Sequence, residues 1–145
     1  MAAKSFDLLS KLHRLDAKQR SLLTEAAATL VLASAALRVL PFARAITLGA
    51  IALARRSGAA PTAQECGWAI EVVGRRLPWR TVCIHQGIAA QRMMRRNGVD
   101  ARLHYGARTD SATGKLEAHV WVTVDGEAIL GGEEAAGFAE VAAYP

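Results

Sequence analysis

The chain has 145 residues, 52% of them hydrophobic and 21% charged, with four Pro. This is the make-up of one globular domain and excludes a collagenous, low-complexity or wholly disordered chain. Two Cys, at 66 and 83, are too few for a disulfide framework and too far apart for a zinc knuckle, so a reduced, cytoplasmic setting is expected. The net charge of +5 is unevenly spread: all 18 Lys and Arg and only seven of the 13 acids precede residue 117, a local net +11 whose field attracts nucleic acid, anionic lipid or an acidic peptide.

Residues 1–20 are charged and amphipathic, without the continuous apolar centre of a signal peptide. The Ala- and Leu-rich stretch 21–40 contains no Gly or Pro and predicts one long helix ended by Pro41, with a shorter helix over 8–23 before it. Its length suits a bilayer, but Glu25 and Arg38 lie inside it. A buried or docking helix is therefore expected, and a membrane span is not. A third helix over 43–55 runs out in the small-residue linker 57–61. Thr62, with Glu65 three residues on, makes a capping box that opens a helix to about Arg76, and Leu77-Pro78-Trp79-Arg80 breaks it.

After Thr81 the helical period restarts and stops at Asn97-Gly98. Alternation then predicts a strand over 99–106, a polar turn over 110–114, a strand over 118–124, a hairpin turn at Asp125-Gly126 and a returning strand over 127–130. The fold class is α+β: N-terminal helices, then a helix packed on a small antiparallel sheet. Residues 1–60 read as a helical docking region and 61–145 as the core.

Cys83 falls in the first turn of the helix that follows the Pro-Trp break. Free backbone N–H groups and the positive end of the helix dipole stabilise a thiolate there and can hold an oxyanion. Cys66, among apolar neighbours, reads as structural. On the strand 118–124, His119, Trp121 and Thr123 share one face and Val120, Val122 and Val124 the other. A sheet packed on the Cys helix can deliver His119 as the base that a cysteine nucleophile needs. His85 points away from Cys83 on the same helix, His104 lies on the outer strand face, and His13 belongs to the basic N-terminal stretch. The orienting acid is ambiguous. Continuing the hairpin register places Gly132 opposite His119, and a bulge brings Glu133 onto it; Asp125, on the face of His119 but six residues on, is the second choice. Neither a metal site nor a cofactor site is expected, since no ligand pattern is present. A nucleic-acid-binding domain would need a recognisable motif or interleaved aromatics, which are missing.

Three segments together resemble a known family: residues 77–83 ending at Cys83, the run 93–106 through Asn97-Gly98-Val99, and Ala118-His119-Val120-Trp121-Val122 with Asp125-Gly126. They are similar to the lasso-peptide processing proteases, B-type leader peptidases with a transglutaminase-like, papain-related domain. The resemblance covers about 61–130 closely and the N-terminal helices loosely. It implies a transglutaminase-like cysteine peptidase core over 61–145, with the nucleophile on Cys83 and the base on His119. It also implies removal of the leader from a ribosomal precursor, so that a separate ATP-dependent cyclase can close the macrolactam ring. The family's acid follows on the next strand, in the segment held here by Gly131-Gly132-Glu133-Glu134, where no Asp stands. A separate leader-recognition protein is the implied partner. A non-catalytic scaffold that binds the precursor is the competing expectation.

Overall fold

The computed structural model describes residues 14–51 and 59–145. Five α-helices and four strands follow in chain order among them: α1 (Ala17–Val39), α2 (Phe42–Ala45) with a 3-10 turn at Ile46–Ala50, α3 (Ala63–Gly74), α4 (Cys83–Arg96), β1 (Ala101–Thr109), β2 (Leu116–Val124), β3 (Glu127–Leu130), α5 (Gly132–Ala135) and β4 (Ala139–Tyr144). The strands form one antiparallel sheet in the order β3-β2-β1-β4. The architecture is α+β, as the change of period from helical to alternating predicts.

The helix starts follow local chemistry. Asp16 accepts from the Gln19 N–H at 2.7 Å while the Gln19 side chain accepts from the Asp16 N–H, so α1 begins at Ala17 as one continuous helix. The break expected near residue 21 does not occur, and residues 8–13 of the expected shorter helix lie outside the described residues. Thr62 and Glu65 form the predicted reciprocal box at the start of α3. Beyond Pro41 the expected helix over 43–55 is instead the single turn α2 and the 3-10 turn; residues 52–58 are not described.

The core is continuous. Leu22, Leu30 and Ala33 of α1, Cys66 and Ile70 of α3, Ile88 and Met93 of α4, and Leu103, Val120 and Val122 of the sheet pack as one cluster. The N-terminal helix therefore belongs to the same core as the segment after Pro61. By length and composition α1 is apolar enough to cross a membrane, yet its stripe of buried residues is seated on α3 and α4. Gly87 marks the closest passage of α4 over β2, where a Cβ would run into the Val120 side chain. At the end of α4, Asn97 donates to Glu25 and to the Met93 carbonyl, tying the helix to α1.

Two irregularities shape the site. The Asp125-Gly126 turn has positive φ at both residues, 51° and 84°, as a tight hairpin turn requires. The β2–β3 register then slips at Ile129, pairing Val122 with Leu130, and the chain leaves the sheet through Gly131 at φ 71°.

Candidate active site

Cys83 is the first residue of α4, and the segment before it is fastened from both sides. Thr81 Oγ1 donates to the Gly74 carbonyl at the end of α3, at 3.1 Å, and accepts from Gln86 Nε2 at 3.3 Å. Gln86 is three residues after Cys83, so one helical turn both presents the thiol and holds its loop. Val82 is the N-cap and has no side-chain acceptor; His85 Nδ1 accepts from the Val82 N–H at 3.3 Å instead. Burial holds the His85 ring below the usual imidazole range. The His85 and Gln86 N–H groups both reach back to the Val82 carbonyl, whereas those of Cys83 and Ile84 have no carbonyl a turn below them. These two N–H groups are the natural donors to an oxyanion beside the Cys83 sulfur. The thiol is half-buried.

His119 lies on β2 with 6% of its surface exposed. Its Nε2 is 2.7 Å from the Gly131 carbonyl oxygen, which can only accept, so Nε2 carries a proton and Nδ1 is the lone-pair nitrogen of the neutral ring. Trp121 stacks on the ring at 6.2 Å between centroids, Phe138 at 5.2 Å, and Arg108 caps Phe138 at 4.3 Å. Gly131 is suited to its place: besides the positive φ, a Cβ there would stand 2.7 Å from the Val120 carbonyl oxygen and 3.3 Å from His119 Nε2.

Cys83 and His119 line the same cavity, of about 670 Å³, together with Arg80, Gln86, Glu117 and Glu134. Among the described residues no hydrogen bond joins the Cys83 thiol to His119. The bulge that would carry Glu133 to the histidine does form, at Ile129, but the strand ends at Leu130 and Glu133 turns outward in α5. The carboxylate near the ring is that of Glu134, 3.7 Å from Nδ1. Asp125 is exposed in the hairpin turn and serves the turn.

Three contributors to the site escape a reading by residue type: the Gly131 carbonyl, Glu134 and Gln86. Glu134 stands in the segment 131–134 where the resemblance places the acid, and Gln86 has its i+3 spacing from Cys83; the Gly131 carbonyl carried no signal. His104, assigned to the outer face and apart from His119, lies opposite Trp121 on the same face as His119, while Leu103, Val120 and Val122 face the helices. It stacks on Trp121 at 5.3 Å, with Nδ1 2.7 Å from Glu140 and Nε2 2.8 Å from Thr123 Oγ1. Cys66 is fully buried, and burial, with Glu25 and Glu65 nearby, pushes its thiol up to about 12. His13 lies outside the described residues. Among the described residues no group of three His, Cys, Asp or Glu is placed to hold a metal ion.

The family model described as transglutaminase-like superfamily matches residues 10–143. The chain belongs to the transglutaminase-like superfamily. The match runs from ahead of α1 to the last turn of β4, so the helices before Pro61 fall inside the transglutaminase-like domain. The superfamily includes cysteine peptidases and acyltransferases, both of which work through an acyl-thioester on cysteine. Comparison with curated proteins and with solved structures returned no match.

Proposed function

We propose that this transglutaminase-like protein is a cysteine peptidase that removes the leader from a ribosomally made precursor in lasso-peptide biosynthesis, in the reducing cytoplasm. The observation that carries the chemistry is the cavity shared by Cys83, at the first turn of α4, and His119, whose Nε2–H is fixed on the Gly131 carbonyl. The choice of substrate rests on the residue pattern Cys83, Asn97-Gly98-Val99 and His119-Val120-Trp121-Val122.

The Cys83 sulfur attacks the carbonyl carbon at the leader–core junction. The carbonyl π pair moves to oxygen, facing the N–H groups of Cys83 and Ile84. As the intermediate collapses, the C–N bond breaks and His119 Nδ1, holding the thiol proton, gives it to the leaving amine. Water then adds to the thioester carbonyl, losing a proton to Nδ1; the C–S bond breaks to release the acid, and the Nδ1 proton returns to the sulfur, which restores the thiol. The separation of thiol and imidazole in the free protein closes when substrate binds, since catalytic hydrogen bonds often tighten only in the complex. The Gly131 carbonyl takes the orienting place that an acid holds elsewhere, with Glu134 adding negative charge near the ring. A separate leader-recognition protein presents the precursor, and an ATP-dependent cyclase consumes the product.

Mass spectrometry of precursor incubated with each variant and the recognition protein tests this. Cys83→Ala is expected to abolish cleavage and Cys66→Ala to leave most of it. His119→Ala is expected to lower turnover by several orders of magnitude and His104→Ala far less. Equal losses at the two cysteines, in folded protein, would overturn the assignment. The unbonded thiol and imidazole favour one competing reading, a non-catalytic scaffold on the same fold, for which the precursor binds but no variant alters its mass.

A further inference from the structure

A second cavity, of about 780 Å³, lies between the C-terminal half of α1 and the segment that leads into α4. Val31, Ala35 and Arg38 form one helical stripe along its floor, and Trp79 and Ile84 form the facing wall. The wall is pinned, because Trp79 Nε1 donates to Ser34 Oγ at 3.1 Å. The groove is nonetheless open to solvent: Val31 is 47% exposed, Val39 75% and Trp79 39%. Isolated surface apolar residues are ordinary, but a contiguous apolar trough between two fixed walls marks a site of association.

Two features say what fits it. Arg38 and Arg80 line the groove, are exposed and make no ion pair among the described residues, so both are available to an acidic ligand. Arg80 also lines the Cys83 cavity, and Ile84 and His85, the two residues after Cys83, face the groove. The segment 79–85 thus separates the two cavities, with Cys83 on one side and Ile84 and His85 on the other, and Arg80, which lines both, marks where a chain held at Cys83 can cross into the groove. We propose that this groove is the subsite for the substrate's own peptide chain, taking a bulky aliphatic or aromatic residue against Trp79 and Val31 and a neighbouring Asp or Glu against Arg38. This rests on Cys83 being the nucleophile and adds the sequence class it selects.

The test uses short N-acetylated peptide amides: one containing Leu-Asp, one with Lys for the Asp, one with Ser for the Leu. Affinity is read from tryptophan fluorescence of the full-length Cys83→Ser protein, with Trp79→Phe as the control for which tryptophan reports. Replacing Leu by Ser is expected to weaken binding about tenfold. Arg38→Gln is expected to weaken the Leu-Asp peptide about two- to fivefold while leaving the Lys peptide unchanged, which a merely structural Arg38 would not do. Val31, exposed on a helix, is replaced by Asn as a second variant that keeps the core and still loses affinity. In the wild-type protein the Leu-Asp peptide is expected to slow alkylation of Cys83 by iodoacetamide.

The failures separate. If Cys83 alkylates readily but the peptides bind alike, or not at all, the groove is not a subsite and the nucleophile assignment stands. If the peptides bind with the stated preference but Cys83 is as inert as Cys66, the peptidase reading fails instead. Peptide binding seen only after residues 1–13 are deleted, or lost as the chain dimerises, would give the groove to the chain's own N-terminus or to a second copy and overturn the proposal.

Discussion

At the scale of single residues, the environment of each histidine decides what it does. Burial holds the His85 ring below the usual imidazole range, and its Nδ1 already accepts the Val82 N–H. Its folded pKa lies below the unfolded one, so the folded state resists a proton that the unfolded chain takes up. Stability from this residue is present above the ordinary imidazole value, roughly 6.5, and is lost as the pH falls below it. His85→Gln keeps an acceptor for the Val82 N–H and cannot titrate. Urea midpoints measured from neutral to mildly acidic pH are expected to fall less steeply in this variant than in the wild type; identical slopes would mean the ring protonates freely. Gly131 is the other residue on which the site turns. Gly131→Ala places a Cβ at positive φ, at a cost of about 1–2 kcal/mol, and pushes it against the Val120 carbonyl. The carbonyl that fixes His119 Nε2 then shifts, and a displacement on the order of 1 Å at such a contact is worth about a hundredfold in turnover. Precursor cleavage by a variant that still melts cooperatively checks this, and undiminished turnover would show that the carbonyl does not orient the ring.

At the scale of elements, legibility followed the range of the interactions. The Thr62/Glu65 box, the Asp125-Gly126 turn, the stop at Asn97-Gly98 and the placement of Cys83 at a helix start are local, and each was readable from four residues or fewer. The start of α1 was equally local, since Asp16 and Gln19 carry the same box signature, but the apolar run beginning at Ser21 masked it. β4 was not legible. Its sequence, Ala-Glu-Val-Ala-Ala-Tyr, has weak strand preference, and it is a strand because β1 offers it an edge more than thirty residues back in the chain. Glu133 stays off the His119 ring for a similar reason: the register arithmetic held through the bulge at Ile129, but Gly131 ended the strand before Glu133 could join it. The α4–β2 crossing gives an element-scale prediction. Gly87→Val forces a side chain into Val120, one residue from His119 and one turn from Cys83, and overpacking of this kind costs about 1–3 kcal/mol. The denaturation midpoint is expected to drop, and precursor cleavage to drop further than stability alone explains, because the helix and strand that carry the two site residues are pushed apart. Wild-type cleavage in the folded variant would show that their spacing is not critical.

At the scale of the whole molecule, α1, one of the helices before Pro61 expected to form a docking region, supplies part of a large core cluster among the described residues. Leu22, Ala26, Leu30 and Ala33 are buried against α3 and α4, and Glu25 accepts from Asn97 at the far end of α4. Fully burying a Leu is worth about 1.5–3 kcal/mol. Losing two of them with the alanines removes on the order of the 5–15 kcal/mol by which a whole domain is stable. Deletion of residues 1–40 is therefore expected to abolish cooperative thermal unfolding rather than only partner binding. A second readout keeps this apart from simple insolubility. Cys66 is fully buried in the core cluster to which α1 contributes, so native protein should show one thiol reactive to a small alkylating reagent and denatured protein two, whereas the truncated chain, kept soluble in mild denaturant below the wild-type midpoint, should show two. A cooperative melt with Cys66 still protected would mean that residues 41–145 fold without α1, and that α1 is an accessory laid on a core that does not need it.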